Sequence, residues 1–186
     1  MRIVAGEWGG RRLVAPKGRG VRPTLERVRE AVFDTLGTRP RGARVLDLFA
    51  GSGAMGFEAL SRGADRATWC DASERAIAAI RENAAKLAVP PARAAILHMP
   101  AGAAIERLAK AGESFDIVFV DPPWESGLYE ETLLALSLSR IVAPGGMVVV
   151  EHAVRFDVSA VFGDLLADRE RRYGDSGVTY FKRGGR

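Results

Sequence analysis

Val45-Leu46-Asp47-Leu48-Phe49-Ala50-Gly51-Ser52-Gly53 is an apolar run broken by one carboxylate and closed by two glycines. A short, nearly continuous apolar run bounded by glycine reads as a strand buried on both faces, as in a parallel sheet. Gly51 to Gly56 has the spacing G-x-G-x-x-G, and the pattern from Ala54 to Arg62 is helical until Gly63 stops it. Strand, glycine turn and helix form the opening of a βαβ unit, which carries its ligand at the carboxyl end of the strand.

The spacing alone also matches a dinucleotide site, because Asp71 lies twenty residues beyond Gly51. Asp47 discriminates. A pyrophosphate wants backbone N–H groups and a helix N-terminus, not a carboxylate beside it. S-adenosylmethionine carries an ammonium and a sulfonium, so a carboxylate near the strand end suits it better than NAD. The competing reading is that Asp47 caps the following loop through backbone N–H groups. Phe49, Ala50 and Ser52 complete the turn around Gly51 and Gly53. Asp71, followed by Ala72, ends the next strand, where a carboxylate accepts the ribose hydroxyls of any adenosine cofactor. The third strand ends in His98-Met99-Pro100-Ala101 with no acid for adenine, so contact there falls to backbone groups and to packing by Met99, Pro100 and Ala101.

Outward from this unit the alternation continues. Strands are expected over 67–70, 94–97, 115–120 and 147–150, with helices over about 73–87, 101–111 and 128–138. Buried strands alternating with helices make a parallel sheet with right-handed crossovers and helices on both faces. The C-terminal stretch differs: 165–173 and 178–182 flank Gly174-Asp175-Ser176-Gly177, a hairpin signal that gives the sheet an antiparallel edge. The fold class is therefore α/β and Rossmann-like.

Asp121-Pro122-Pro123-Trp124 directly follows the fourth strand. Two prolines fix the backbone and donate no hydrogen bonds, so the loop offers carbonyl acceptors in a rigid frame. An exocyclic amine matches it, with one N–H to the Asp121 carboxylate and the other to the Pro122 carbonyl. Trp124 adds a face on which a flipped base can stack. The bland alternative is an Asp-Pro turn with Trp124 as a core anchor. Cys70, inside a strand, reads as inert core, and His152 as structural.

The chain has 186 residues, with 47% hydrophobic and 27% charged, values that exclude disordered and fibrous classes. One cysteine and two histidines exclude an internal disulfide and a cysteine or histidine zinc cluster, so no metal is expected. No apolar run reaches the ~18 residues of a membrane span, and the N-terminus lacks a secretory apolar stretch. The expectation is a soluble, cytoplasmic monomer. Net charge is +4, but residues 1–44 hold eleven Lys/Arg against four Asp/Glu. This basic extension reads as a small hairpin over 2–15, a loop, and a helix from Thr24 to Leu36, set against a main domain over 45–186. Arg11, Arg12, Lys17, Arg19, Arg22, Thr24 and Arg29 are its candidate RNA contacts, and Trp8 either stacks on RNA or packs.

These stretches resemble class I S-adenosylmethionine-dependent amino-methyltransferases. Gly9-Gly10-Arg11-Arg12-Leu13, Arg22-Pro23-Thr24 with Arg27-Val28-Arg29-Glu30-Ala31-Val32-Phe33, and Glu58-Ala59-Leu60-Ser61-Arg62-Gly63-Ala64 narrow the likeness. Together they are similar to the RsmD-type methylases of bacterial small-subunit ribosomal RNA, across nearly the whole chain. The resemblance implies a seven-stranded sheet and methyl transfer to guanine N2 of 16S rRNA, free or in a partly assembled small subunit. It further implies a donor held at Asp47, Gly51, Gly53 and Asp71, and the target amine at Asp121. Trp124 stands where phenylalanine or tyrosine is more usual. Three alternatives remain: an amino-methyltransferase acting on DNA adenine or another amine, a non-enzymatic RNA-binding module, and, weakest, a dehydrogenase.

Overall fold

The computed structural model describes residues 1–16, 23–123, 127–155, 158 and 160–184. Among the described residues five α-helices, α1 (Pro23–Leu36), α2 (Ala54–Ser61), α3 (Glu74–Lys86), α4 (Ala101–Lys110) and α5 (Leu128–Ser139), surround eight strands. The strands are β1 (Arg44–Leu48), β2 (Arg66–Asp71), β3 (Ala94–His98), β4 (Phe115–Val120), β5 (Val142–Ala153), β6 (Val161–Phe162), β7 (Leu165–Tyr173) and β8 (Ser176–Arg183). They form one sheet in the order β3-β2-β1-β4-β5-β8-β7-β6. The first five are parallel and the last three pair antiparallel. Among the described residues no helix is long and apolar enough to cross a membrane.

Strand alternation sends side chains to two faces, each covered by helices. Val45, Trp69, Ile117, Phe119, Val149, Val178 and Tyr180 face α1, α2 and α3; Leu46, Leu48, Val118, Val120, Val150 and Phe181 face α4 and α5. Burying so many branched and aromatic side chains at about 25 cal/mol per Å² is the main stabilising term.

Two sequence expectations are corrected. Among the described residues the sheet has eight strands rather than seven, because Val161 and Phe162 pair with Leu166 and Leu165 as a short outer strand. The fifth strand starts at Val142, not Met147. Val142 already pairs with Phe115, and Pro144-Gly145-Gly146 loops out before pairing resumes at Ile117↔Met147. The hairpin of β7 and β8 is present, with β8 inserted beside β5.

The N-terminal segment shares the main core. Arg2 bridges Arg12, and Ile3 N–H donates to the Arg11 carbonyl at 2.9 Å, closing a small hairpin. Ile3, Trp8 and Leu13 are buried with Val28, Val32 and Phe33 of α1 against Val45 and Phe57. Trp8, at 5% exposure, packs rather than stacks outward. Helix α1 begins at Pro23, so Thr24 lies inside its first turn rather than capping it. Two buried polar residues fasten this segment. Glu58 accepts from the Val4 and Ala5 amides at 2.7 and 3.0 Å and pairs with Arg29 and Arg62. Asn83 accepts from Val14 N–H at 2.7 Å and donates to the Val14 and Ser52 carbonyls. One side chain thus ties the N-terminal segment to the glycine turn.

Candidate active site

The parallel strands end at one edge, where three loops meet. Register pairs Leu48 with both Cys70 and Val120, so the turn after β1, Asp71 and Asp121 stand side by side. The turn begins with Phe49 at φ 60°, a left-handed conformation costly for a bulky residue. Such strain persists where the surrounding structure holds it, commonly at binding sites. Here the Ala50 amide donates to the Cys70 carbonyl at 3.0 Å, and Gly53 N–H to the Ala50 carbonyl at 2.7 Å.

Gly53 sits at φ 77° before α2, and a Cβ there would meet Phe57 and the Trp69 indole. A Cβ on Gly56 would overlap the same indole. The glycine spacing therefore serves close helix–sheet packing: Trp69, buried in β2, donates its indole N–H to the Gly53 carbonyl at 3.0 Å. Gly51, at φ 56°, has open space where a Cβ would stand, which leaves the backbone approachable by a ligand.

Asp47 is 3% exposed, and its Oδ2 accepts from Gly56 N–H at 3.0 Å. Burial pushes its carboxyl up to about 8, with Asp71 adding to the rise. The loop-capping contact is present, and among the described residues the buried carboxyl has one amide donor and no paired cation to hold it ionised. A bound ammonium would supply that charge, so the residues present fit the methyl donor. Asp71 accepts from Gly51 N–H and Ser73 N–H, both at 2.8 Å. Its carboxylate thereby clamps the glycine turn to the start of α3. Ala72 is exposed beside it, with its carbonyl 3.2 Å from His98 Nε2. Met99 is half-buried and donates its amide to the Asp71 carbonyl at 3.1 Å, and Pro100 precedes α4, which Ala101 opens. The third strand end therefore lies against Asp71. Ser52 is buried, its carbonyl held by Asn83.

In the loop after β4, Asp121 and Pro123 are exposed and Pro122 is buried. Trp124 lies outside the described residues, as do Lys17, Arg19 and Arg22. Tyr129, in the first turn of α5, donates its hydroxyl to the Pro122 carbonyl at 3.3 Å. Burial, then the Asp121 and Glu151 carboxylates, push the phenol above its usual range. Glu151 ends the apolar run of β5, and burial raises its carboxyl while a hydrogen bond from Ser176 opposes the rise. His152 is buried, with Nε2 2.9 Å from the Thr179 hydroxyl, and is structural. Cys70 is buried core whose thiol burial pushes up to about 12.

One candidate is corrected. Arg29 is 3% exposed, bonds the Arg2 carbonyl and pairs with Glu58 at 3.5 Å. Its guanidinium is spent on the core and cannot face RNA; burial also lowers its pKa. Arg11 and Arg12 are exposed on the hairpin. The sequence reading missed Tyr129, Glu58 and Asn83. Asn83 carries a legible signal: a lone amide on the apolar stripe formed by Ile77, Ile80, Ala84 and Leu87.

A doubly wound sheet in this strand order, with an acid and a glycine turn closing β1, defines a class I S-adenosylmethionine-dependent methyltransferase. Residues 1–182 match the family model described as "Conserved hypothetical protein 95". The chain is 37% identical to "Ribosomal RNA small subunit methyltransferase D" of Escherichia coli, over 98% of this chain and 90% of that protein. The solved structure of yhhF from Escherichia coli superposes with a TM-score of 0.84 at 36% identity, covering 100% of this chain and 99% of that one. A more distant methyltransferase, SMU.776, solved in complex with SAH, shares the fold: TM-score 0.71, 17% identity, 87% of this chain and 50% of that one. The chain belongs to the RsmD family of ribosomal RNA methyltransferases.

Proposed function

We propose that this protein transfers a methyl group from S-adenosylmethionine to the exocyclic N2 amine of a guanine in small-subunit ribosomal RNA. The observation that carries the reading is the pairing of Leu48 with Val120, which sets the glycine turn beside Asp121-Pro122-Pro123 at one sheet edge. The Escherichia coli relative, named for small-subunit rRNA methylation, supports the substrate class. When bound, the cofactor supplies an electrophilic methyl group on a sulfonium.

The chain's own residues do the rest. Asp47 receives the ammonium, Asp71 the ribose hydroxyls, and residues 99–101 flank the adenine. Asp121 and the Pro122 carbonyl accept the two N–H groups of the target amine and aim its lone pair along the transfer line. Holding two reactants in line supplies most of the acceleration, with little acid–base work. Trp124, next in sequence, adds an aromatic face for the flipped base. Arg11 and Arg12, with Lys17, Arg19, Arg22 and Thr24 beyond the hairpin, grip RNA, so residues 1–44 act as the RNA-contacting extension of the 45–186 catalytic domain. The protein works as a cytoplasmic monomer.

Labelled-methyl transfer to 16S rRNA and to partly assembled small subunits, with the product base mapped by mass spectrometry, tests the reading. N2-methylguanine is expected. Label on DNA adenine alone, or none with intact cofactor binding, overturns it.

A further inference from the structure

The β7–β8 hairpin carries a cationic stripe whose side of the sheet the sequence alone conceals. Asp-Arg-Glu-Arg-Arg-Tyr (168–173) is exposed as far as Arg172, so simple alternation would place Arg169 and Arg171 with Ala167 on one face. Register shows otherwise. Ala167 pairs with Phe181 and Arg169 with Tyr180, leaving Asp168 as an extra residue. This bulge shifts pairing by one and turns every later side chain to the opposite face. Phe181 faces α4 and α5, whereas Val178 and Tyr180 face α1. Arg169, Arg171 and Tyr173 therefore line up on the α1 side, about 6.6 Å apart along the strand.

Their neighbours on β7 and β8 are neutralised. Arg172 pairs with Glu170 at 3.0 Å, Lys182 with Asp168 at 2.7 Å, and Arg183 with Asp164 at 2.8 Å. Arg169 and Arg171 make no ion pair among the described residues; Arg171 reaches only the Glu170 carbonyl at 3.4 Å. Both are exposed, and Tyr173 is half-buried at the top of the stripe. The strand also climbs in the right direction. β7 runs parallel to β5, and Arg171, Val178 and Glu151 form one cross-strand row. Val150 pairs with Val120, so the next position on β4 in that row is Asp121. At about 4.8 Å per strand, Arg171 stands three strands, or about 14 Å, from the amine-holding loop.

We infer that Arg169 and Arg171, turned to the α1 side by the bulge at Asp168, bind the phosphate backbone of single-stranded RNA flanking the target nucleotide, with Tyr173 offering the face of its ring to an adjacent base. The inference rests on the rRNA reading above and adds to it a second grip, on the far side of Asp121 from β1. Two exposed guanidiniums without an ion-pair partner among the described residues, with an aromatic at alternate positions, suit a polyanion with exposed bases. A protein strand docking on the open edge of β7 would need backbone pairing and gain little from these charges.

The test is the salt dependence of affinity for a fluorescein-labelled single-stranded RNA oligonucleotide, measured by anisotropy. Arg169→Gln/Arg171→Gln should flatten the log–log slope by about 1.4 units, two phosphate contacts at about 0.7 each. Arg169→Lys/Arg171→Lys should restore most of the slope. S-adenosylmethionine affinity and melting temperature should not move. An unchanged slope in the glutamine variant overturns the inference, as does a loss confined to protein-bearing subunit particles, which would make β7 a protein-docking edge. Arg11→Gln/Arg12→Gln runs alongside. If it flattens the slope while the β7 variant does not, the second grip falls and the rRNA reading stands. If wild type binds no RNA, both fall.

Discussion

The Tyr129 hydroxyl donates to the Pro122 carbonyl at 3.3 Å, bridging the loop after β4 to the first turn of α5. Neither Pro122 nor Pro123 has an amide hydrogen, so the loop cannot brace itself through its own backbone there. The phenol supplies the missing donor. A carbonyl has two lone pairs, so one stays available to an amine while the other fixes its direction. Burial and the carboxylates of Asp121 and Glu151 keep the phenol protonated, hence a donor, at any pH the enzyme meets.

Tyr129→Phe should therefore slow methyl transfer more than it unfolds the protein. Loss of one neutral hydrogen bond is expected to lower stability by about 1 kcal/mol. A slackened carbonyl should cost on the order of 10-fold in single-turnover rate. Cofactor affinity should be unchanged. Rapid-quench kinetics beside a urea melt separates these effects, and a normal rate in a destabilised protein would leave Tyr129 merely structural.

Asp121→Ala is expected to keep cofactor affinity, because Asp121 lies on β4's loop and not in the glycine turn. It should lose transfer by 100-fold or more, since misplacing the amine forfeits alignment. Asp121→Asn, which keeps an acceptor oxygen, should recover part of the rate. Single-turnover assays with saturating cofactor decide it.

The pH dependence of cofactor binding follows from Asp47. Its carboxyl titrates near 8 in the free protein, so binding a cation there must expel a proton at neutral pH. Affinity should fall about tenfold per unit as pH drops below 8. Above 8 the ligand's own α-amino group, of ordinary pKa near 8, loses its charge and affinity falls again. Stability without ligand has the opposite sense: a raised carboxyl pKa favours the fold at low pH, and that contribution is lost as pH rises from about 4 through 8. Calorimetry in buffers of different ionisation enthalpy measures the proton release. In Asp47→Asn the acidic limb should vanish.

Most of the parallel core is legible in the sequence, because buried strands leave apolar runs and glycines punctuate them. Asp47, Asp71 and Asp121 are legible too, since an acid at a strand end stands out against apolar neighbours. What escapes is decided by pairing. The start of β5 hides because Val142 is separated from Met147 by a Pro-Gly-Gly loop that reads as a terminus. Arg29 reads as a surface cation; its fate depends on Glu58, twenty-nine residues away and inside an apolar helix. The faces of Arg169 and Arg171 depend on one bulged residue, invisible to periodicity.

Glu58 is fully buried, accepting from two backbone amides and facing Arg29 and Arg62. Glu58→Ala should destabilise the protein by about 3–5 kcal/mol, because Arg29 would remain buried without its counter-charge. Glu58→Ala/Arg29→Met should recover a good part of that loss. Urea denaturation of the wild type, Glu58→Ala, Arg29→Met and the double variant gives the coupling; additive losses would show that the pair acts independently.

The last prediction concerns the basic arm. Residues 1–44 hold a balance of +7, from eleven Lys/Arg against four Asp/Glu, whereas the rest of the chain is slightly acidic. Arg29 is removed from that reservoir by burial, and Arg2 by Glu26 at 3.5 Å. Arg11 and Arg12 are exposed on the hairpin, and their neighbours Ile3, Trp8 and Leu13 anchor it from beneath. A cationic surface on a rigid base fits phosphate binding better than a purely structural arm. Replacing Arg11, Arg12 and Arg19 together with glutamine should flatten the salt slope for single-stranded RNA by about two units. Cofactor affinity should hold, because Asn83 still fastens Val14 to the Ser52 carbonyl. A structural arm would instead lower the melting temperature and leave the slope alone. Salt titrations of RNA affinity beside a thermal melt tell the two apart, and an unaltered slope would remove the arm from the RNA interface.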